Sequence, residues 1–166
     1  QYISPVISNS LIINNQSIGG GSSSGGGSGI YIENADPLIL NNLIAFNKST
    51  FGNPKGAGIM CWWASPIIEN NTIYGNTFDD STGIAGCIYL AGNSNAQIEK
   101  TIIWNNSPGV LFIENQATPI VSYSNFDDIR IGKKRKHGFS KWGLTPYYSM
   151  NSRNEYNGTP TTSSSP

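Results

Sequence analysis

The stretch that decides the fold is Pro66-Ile-Ile-Glu-Asn-Asn-Thr-Ile-Tyr-Gly-Asn76, because similar stretches recur along the chain. One copy starts at Pro5 and another at Pro37, and degenerate copies start at Ala96 and Pro119. Successive starts lie 32, 29, 30 and 23 residues apart. A period of this size is typical of a solenoid, in which each unit buries its apolar face against its neighbours.

A second phrase, of the form Gly29-Ile-Tyr-Ile-Glu-Asn34, precedes four of the five copies. Both phrases alternate apolar and other residues with period two, as strands with one buried face do. We therefore predict an all-β, single-stranded solenoid of four to five coils with three strands per coil. Three rows of side chains are predicted to point inward. The glycine-led strands contribute the pairs Ile30/Ile32, Ile59/Cys61, Ile88/Leu90 and Leu111/Ile113. The strands after the proline contribute Ile7, Ile39, Ile68, Ile98 and Val121, and the strands beyond the Asn pair contribute Ile12, Ile44, Ile73, Ile103 and Phe126.

Asparagines mark the corners between these strands. A solenoid corner turns within about two residues and needs left-handed backbone torsions, which Asn tolerates better than other non-glycine residues. Stacked asparagines of successive coils can also hydrogen-bond to one another in a ladder. One ladder is predicted from Asn9, Asn41 and Asn70, ending at Lys100 and Tyr123, and a second corner from Asn15, Asn47, Asn76 and Asn106.

Over residues 1–128 these repeats resemble the right-handed parallel β-helix proteins of the pectin-lyase-like superfamily. The resemblance implies stacked three-strand coils and an extracellular or cell-surface protein. Many members bind, cleave or epimerise acidic polysaccharides, while others are adhesins or purely structural. Because the repeat begins without a cap, we expect a fragment of a longer protein whose uncapped coils can associate end to end.

Composition separates this repeat region from the C-terminal part of the chain. The 166 residues suit one structural unit. Residues 1–128 hold three lysines, no arginine and nine acids, a net charge of −6, whereas 129–166 hold seven basic residues and one acid, a net charge of +6. We predict a basic, irregular tail over 129–166. The acidic body argues against a nucleic-acid partner, and no apolar run is long enough for a membrane span.

The resemblance to this superfamily implies an active surface along the glycine-led strands, so their outward residues form the predicted binding surface. Aromatic rings suit the apolar faces of sugars and carboxylates suit their hydroxyls, so a carbohydrate polymer is the expected partner. The leading function is polysaccharide binding or processing; the alternative is a structural or adhesive spacer whose aromatic residues merely stack between coils. The predicted substrate-binding residues are Tyr31, Glu33, Trp62, Trp63, Tyr89, Phe112 and Glu114.

Catalytic residues are not evident in this chain. A lyase of this fold commonly uses Arg or Lys as its base, and a glycoside hydrolase needs two carboxylates roughly 5–9.5 Å apart. Glu69 and Glu99, at matching positions of adjacent coils, are the weak catalytic candidates; alternatively both are exposed and one pairs with Lys100. No metal site or cofactor is predicted, apart from calcium as a cation that paired carboxylates could share. Cys61 and Cys87 are predicted to be free, buried thiols.

Overall fold

The computed structural model describes residues 4–18, 26–50, 55–79, 87–107, 109, 111–113 and 117–126. Within these ranges every regular element is a short β-strand. The strands pair only in parallel, each with the matching strand of the next coil. The predicted tail over 129–166 lies outside the described residues.

The described residues run through five successive coils, the last of which has two strands in this part of the chain. In the first two coils the strands are β1 (Val6–Ser8), β2 (Leu11–Ile13), β3 (Gln16–Ile18), β4 (Ile30–Glu33), β5 (Leu38–Leu40), β6 (Leu43–Ala45), β7 (Lys48–Thr50) and β8 (Ile59–Trp62). The later coils contain β9 (Ile67–Glu69), β10 (Thr72–Tyr74), β11 (Thr77–Asp79), β12 (Ile88–Ala91), β13 (Gln97–Glu99), β14 (Ile102–Trp104), β15 (Leu111–Ile113), β16 (Ile120–Ser122) and β17 (Asn125–Phe126).

Among the described strands, stacking of the coils produces four parallel sheets. Sheet 1 holds β1, β5, β9, β13 and β16, and sheet 2 holds β2, β6, β10, β14 and β17. Sheet 3 holds β3, β7 and β11, and sheet 4 holds β4, β8, β12 and β15. An all-β parallel solenoid is thereby confirmed.

The prediction of three strands per coil is wrong for the first three coils, which carry a fourth strand in sheet 3. Its inward positions include Ser17 and Ser49, whose hydroxyls hydrogen-bond to each other at 3.0 Å. Ser49 is buried although it is polar. The strand therefore lacks the apolar alternation by which a sequence pattern reveals a buried face.

The core is a column of aliphatic side chains along the solenoid axis. All three predicted inward rows contribute to it, with the central coils fully buried and Ile7, Ile12 and Ile113 partly buried. In each row an apolar side chain stacks on an apolar side chain of the next coil, as in the register of Ile39 with Ile68 and of Ile68 with Ile98. Burying an aliphatic side chain stabilises the fold by roughly 1.5–3 kcal/mol. Cys61 and Cys87 are buried in this column and are not joined in a disulfide, as predicted.

The corner between sheets 1 and 2 corrects the first predicted ladder by one residue. Asn9, Asn41 and Asn70 do adopt left-handed torsions, with φ of 52°, 56° and 56°, but their side chains are exposed. The ladder is formed by the residue immediately after each of these asparagines and after Lys100 and Tyr123, which also have left-handed torsions. That position points inward, so backbone N–H groups of one coil need side-chain acceptors from the next. Its members are Ser10, Asn42, Asn71, Thr101 and Ser124.

The second predicted corner lies between sheets 2 and 3, as expected, and its asparagines also form a ladder of hydrogen bonds. The Asn47 N–H donates to Asn76 Oδ1 at 3.0 Å, and the Asn76 N–H donates to Asn106 Oδ1 at 2.9 Å. Asn15 adds a further step by donating to Asn47 Oδ1. Each side chain thus satisfies the buried backbone of its neighbour.

Candidate functional site

The outer face of sheet 4 carries a buried aromatic cluster. Tyr89 and Phe112 stack in parallel, with ring centroids 5.1 Å apart and planes 2° apart. The exposed fractions of Tyr89 and Phe112 are 1% and 9%, and Met60 packs beside them at 1%. The expectation that Tyr89 and Phe112 offer open rings is therefore wrong. Successive coils lie about 4.8 Å apart, which presses neighbouring rings together and hides their faces.

Lys55 closes part of this cluster from outside. Its Nζ lies 4.9 Å from the centroid of the Tyr89 ring and 5.9 Å from that of the Trp62 ring. An ammonium group at this distance is attracted to the negative face of an aromatic ring. The cluster is therefore a packed aromatic stack with a lysine above it.

Tyr31 and Glu33 remain accessible at one side of the cluster. Both belong to β4, and their side chains point outward on alternate positions of the strand. The Tyr31 hydroxyl donates a 3.1 Å hydrogen bond to Glu33 Oε2. Partial burial, followed by this hydrogen bond and the negative charge of Glu33, raises the pKa of Tyr31 above its ordinary value. The pair presents a fixed hydroxyl and a carboxylate to solvent.

Trp63 stands at the corner between sheets 4 and 1. Its backbone is left-handed, with φ of 54°, and its exposed fraction is 53%. The indole lies against Gly92 of the next coil, where a Cβ atom would be 2.9 Å from the ring nitrogen of Trp63. Since Gly92 has no side chain, the ring can rest on the backbone. One indole face is supported by the protein and the other is open.

A polar row runs along the same corner beside Trp63. Asp36 Oδ1 accepts a 2.6 Å hydrogen bond from the Ser65 N–H, and Ser65 Oγ accepts one from the Asn95 N–H at 3.3 Å. Asn95 Oδ1 in turn accepts from the backbone N–H and hydroxyl of Thr118. Three of these four side chains are exposed and Ser65 is half-buried. Hydroxyls and carboxylates therefore flank the open face of the Trp63 ring. We call this part of the protein the Trp63 surface and define it as Tyr31, Glu33, Asp36, Trp62 and Trp63.

Comparison with known proteins agrees with this architecture. Residues 4–143 match the family described as the right handed beta helix region. The chain belongs to this family. Neither the curated proteins nor the solved structures gave a match. The matched span of this beta helix protein ends at residue 143. It is therefore longer at its C-terminal end than the repeats identified in the sequence, which end at residue 128.

The two catalytic candidates of this beta helix protein lie side by side on sheet 1. Glu69 and Glu99 are directly opposed in β9 and β13, which confirms their predicted positions in adjacent coils. Lys100 Nζ lies 2.7 Å from Glu69 Oε1 and pairs with it. The hydrogen bond that Lys100 donates to Glu69, followed by the negative charge of Glu69, raises the pKa of Lys100. The ion pair with Lys100 in the alternative prediction is confirmed, but both acids are half-buried rather than exposed, and a catalytic role for them stays a prediction.

The remaining predicted site residue, Glu114, lies outside the described residues. Among the side chains that the structure does describe, no group of three or more His, Cys, Asp or Glu could hold a metal ion. The same part of the chain contains no helix long and apolar enough to cross a membrane.

Two features of the surface are not apparent from the sequence pattern alone. Asp36 joins the Trp63 surface because it directly precedes a repeat proline, a position that is polar in every copy and could have marked the row.

The outer face of sheet 2 is apolar and carries Trp104, exposed by 40%, beside Tyr74. The ring of Phe46 meets the ring of Tyr74 edge-on, with centroids 5.5 Å apart. Tyr74 and Trp104 lie in strands whose inward residues dominate the repeat, and Phe46 lies at the corner after β6.

Proposed function

We propose that this chain is a carbohydrate-binding module of a secreted or cell-surface protein and that a polysaccharide stacks on the Trp63 surface. The observation that carries the proposal is the Trp63 indole, which rests on Gly92 with its other face open. A rigid aromatic ring of this kind offers a large contact area at little entropic expense. Sugar C–H groups pack on such a face.

The polar groups around the ring support the same proposal. The Tyr31 hydroxyl and the Glu33 carboxylate are held together by their hydrogen bond. Asp36 and Ser65 are likewise fixed by a backbone contact between coils. Sugar hydroxyls require donors and acceptors in fixed positions, because hydrogen bonds lost on leaving water must be replaced. An aromatic face with a polar margin meets both requirements of a sugar ring.

The test compares two exposed tryptophans on different faces. Trp63→Ala removes the proposed stacking ring, while Trp104→Ala removes a ring of similar exposure from sheet 2. In a glycan-array screen followed by titration of the best ligand, Trp63→Ala is expected to weaken binding about tenfold or more. Trp104→Ala should leave the affinity unchanged. A folded wild-type protein that binds no glycan, or an affinity lost only in Trp104→Ala, would refute the proposal.

A structural or adhesive spacer is the second candidate function. The outer face of sheet 2 favours it, since its outward residues in the described strands carry no charge and include exposed Leu11 and Ile102. An exposed apolar patch often marks a contact with another protein. A blank glycan array from folded protein, together with loss of self-association or adhesion in Ile102→Lys, would favour the spacer.

A further inference from the structure

The sequence contains five triplets of the form Asn-x-Ser/Thr, the acceptor motif for N-linked oligosaccharides on the surface of secreted proteins. Four of them lie within the described residues and start at Asn15, Asn47, Asn70 and Asn105, and the fifth starts at Asn157, outside the described residues. A repeat rich in Asn produces such triplets by chance. Whether a triplet can carry a sugar chain in the folded protein depends on where its Asn side chain points.

Two of the triplets begin at a ladder position. Asn47 is fully buried, and its Nδ2 donates to the Ile12 carbonyl and to Asn76 Oδ1, each at 2.9 Å. Ser49, two residues later, is also buried. Since both amide hydrogens of Asn47 are used, a sugar on its nitrogen would break the ladder and find no room. Asn15 belongs to the same ladder and donates to Asn47 Oδ1 at 2.9 Å.

The triplet at Asn70 has the opposite orientation, because it begins one residue before a ladder position. Its middle residue, Asn71, points inward and is buried. Asn70 is exposed, and Thr72 begins β10 and is half-buried. Thr72 is in register with Leu43 and Ile102 on the outer face of sheet 2. The Asn70 amide and the Thr72 hydroxyl therefore lie on the same, outer side of the chain.

The triplet at Asn105 is also exposed, but its amide is engaged. Asn105 follows β14 and has a left-handed backbone, with φ of 54°. Its Nδ2 donates a 3.2 Å hydrogen bond to the Tyr74 hydroxyl. Within the described part of the chain, no comparable contact occupies the Asn70 amide. Asn70 is therefore the best placed of the four asparagines to carry a sugar chain.

We propose that Asn70 is an acceptor site for an N-linked oligosaccharide. This inference rests on the secreted or cell-surface setting of the proposed function, because the transfer takes place on the secretory route. Asn70 Nδ2 loses one proton and bonds to the anomeric carbon of a lipid-linked oligosaccharide diphosphate. The bond from that carbon to the diphosphate oxygen breaks, and the lipid diphosphate leaves with the electron pair. The Thr72 hydroxyl is the part of the motif that the transferring enzyme recognises.

A sugar chain at Asn70 is compatible with both the ladder and the Trp63 surface. The ladder at this corner uses Asn71, whose Oδ1 accepts the Asn42 N–H. Asn70 lies at the corner between sheets 1 and 2, whereas Trp63 lies at the corner between sheets 4 and 1. The sugar chain therefore extends into solvent beside the outer face of sheet 2 and leaves Trp63 accessible to a polysaccharide.

The experiment maps the occupied asparagines in the full chain secreted from eukaryotic cells. An amidase that removes N-linked oligosaccharides, used in water enriched in heavy oxygen, converts each occupied Asn into a heavy Asp that mass spectrometry locates. The label is expected at Asn70 and not at Asn47. The same chain made in the bacterial cytoplasm controls for spontaneous deamidation and should carry no label at Asn70. Only protein with the circular dichroism of a β fold is mapped.

Two substitutions of Thr72 form a matched pair. Thr72→Val keeps the branched shape and the strand preference but removes the hydroxyl, so the label at Asn70 should be lost. Thr72→Ser keeps the hydroxyl and should retain the label. Asn70→Gln should also abolish the label at this position and should leave the affinity for a polysaccharide unchanged.

The outcomes separate this inference from the proposed function. An unmodified Asn70 in secreted, folded wild type overturns the inference, as does a label that survives in Thr72→Val or a label at Asn47. Polysaccharide binding is measured on the bacterial protein and its Trp63→Ala variant. If that binding depends on Trp63 while Asn70 is unmodified, the inference fails and carbohydrate binding stands. If Asn70 is modified but no polysaccharide binds through Trp63, carbohydrate binding fails and the modification site stands.

Discussion

Substitution of Asn71 by Ala should destabilise the solenoid far more than substitution of its neighbour Asn70. Asn71 is 2% exposed and forms part of the ladder between sheets 1 and 2. Its Oδ1 accepts the backbone N–H of Asn42 at 2.9 Å, and its Nδ2 donates to the carbonyl groups of Ile39 and Glu69 at 2.8 and 3.0 Å. Asn70 is exposed and contributes a left-handed turn with φ of 56°.

The magnitude depends on the groups that lose a partner. The Asn42 N–H is left buried without its acceptor, which costs about 1–3 kcal/mol. The Ile39 and Glu69 carbonyl groups each lose a donor, worth about 0.5–1.5 kcal/mol apiece. The free energy of unfolding should therefore fall by about 2–6 kcal/mol in Asn71→Ala. Asn70→Ala loses only the tolerance of Asn for a left-handed torsion, about 1–2 kcal/mol.

Urea unfolding followed by circular dichroism measures both changes in the free energy of unfolding. Asn71→Thr is the matched control, because Thr101 occupies the same ladder position in the next coil and accepts the Asn71 N–H. It should lose less stability than Asn71→Ala. Asn70→Gly should be near wild type, since Gly adopts the left-handed region freely. A larger loss in Asn70→Ala than in Asn71→Ala would refute the assignment of the ladder.

Three further predictions concern other parts of the fold. Burial raises the pKa of the Cys61 thiol, so both buried cysteines should resist a thiol reagent at about pH 8 until urea unfolds the chain; fast labelling of the native protein would contradict this. The pKa of Lys100 is raised in the folded protein. The ion pair of Lys100 therefore stabilises the fold fully at a pH below the ordinary lysine pKa, and this stabilisation is lost as the pH rises through the raised pKa. Lys100→Met should therefore reduce the alkaline fall in the urea midpoint, and an unchanged profile would argue against the ion pair. Gly92 and Gly75 both have left-handed torsions, and a Cβ atom added to either would lie 2.9 Å from an aromatic ring, so Gly92→Ala and Gly75→Ala should each lose about 1–2 kcal/mol of stability. Only Gly92→Ala displaces Trp63 and should weaken glycan binding. Equal losses of binding in the two variants would contradict stacking on the Trp63 ring.

The buried rows can be predicted from the sequence because a solenoid repeats the same contact in every coil. Once Ile39, Ile68 and Ile98 share a position in the repeat, stacking brings them into one column. The sequence pattern misplaces the ladder because adjacent asparagines are the same residue type but have opposite roles. Asn70 supplies the left-handed turn, and Asn71 points inward to the unpaired backbone.

The candidate site can be predicted only in part, because a repeat pattern shows which face a residue occupies but not what covers it. Tyr89 lies on the outward face of its strand, yet Phe112 and the Lys55 ammonium cover its ring. Trp63 remains open because it sits at a corner, supported by Gly92 on one side. Its accessibility depends on the local path of the backbone, which alternation between apolar and polar residues does not encode.

The most direct test of carbohydrate stacking is a nuclear magnetic resonance titration of the indole N–H signals. The chain has four tryptophans, and single substitutions of Trp62, Trp63 and Trp104 assign their signals. Addition of the polysaccharide that binds best is predicted to shift the Trp63 signal in a saturable manner and to leave the Trp104 signal unmoved. A titration in which the Trp63 signal stays fixed, or in which Trp104 moves instead, would contradict binding at the Trp63 surface.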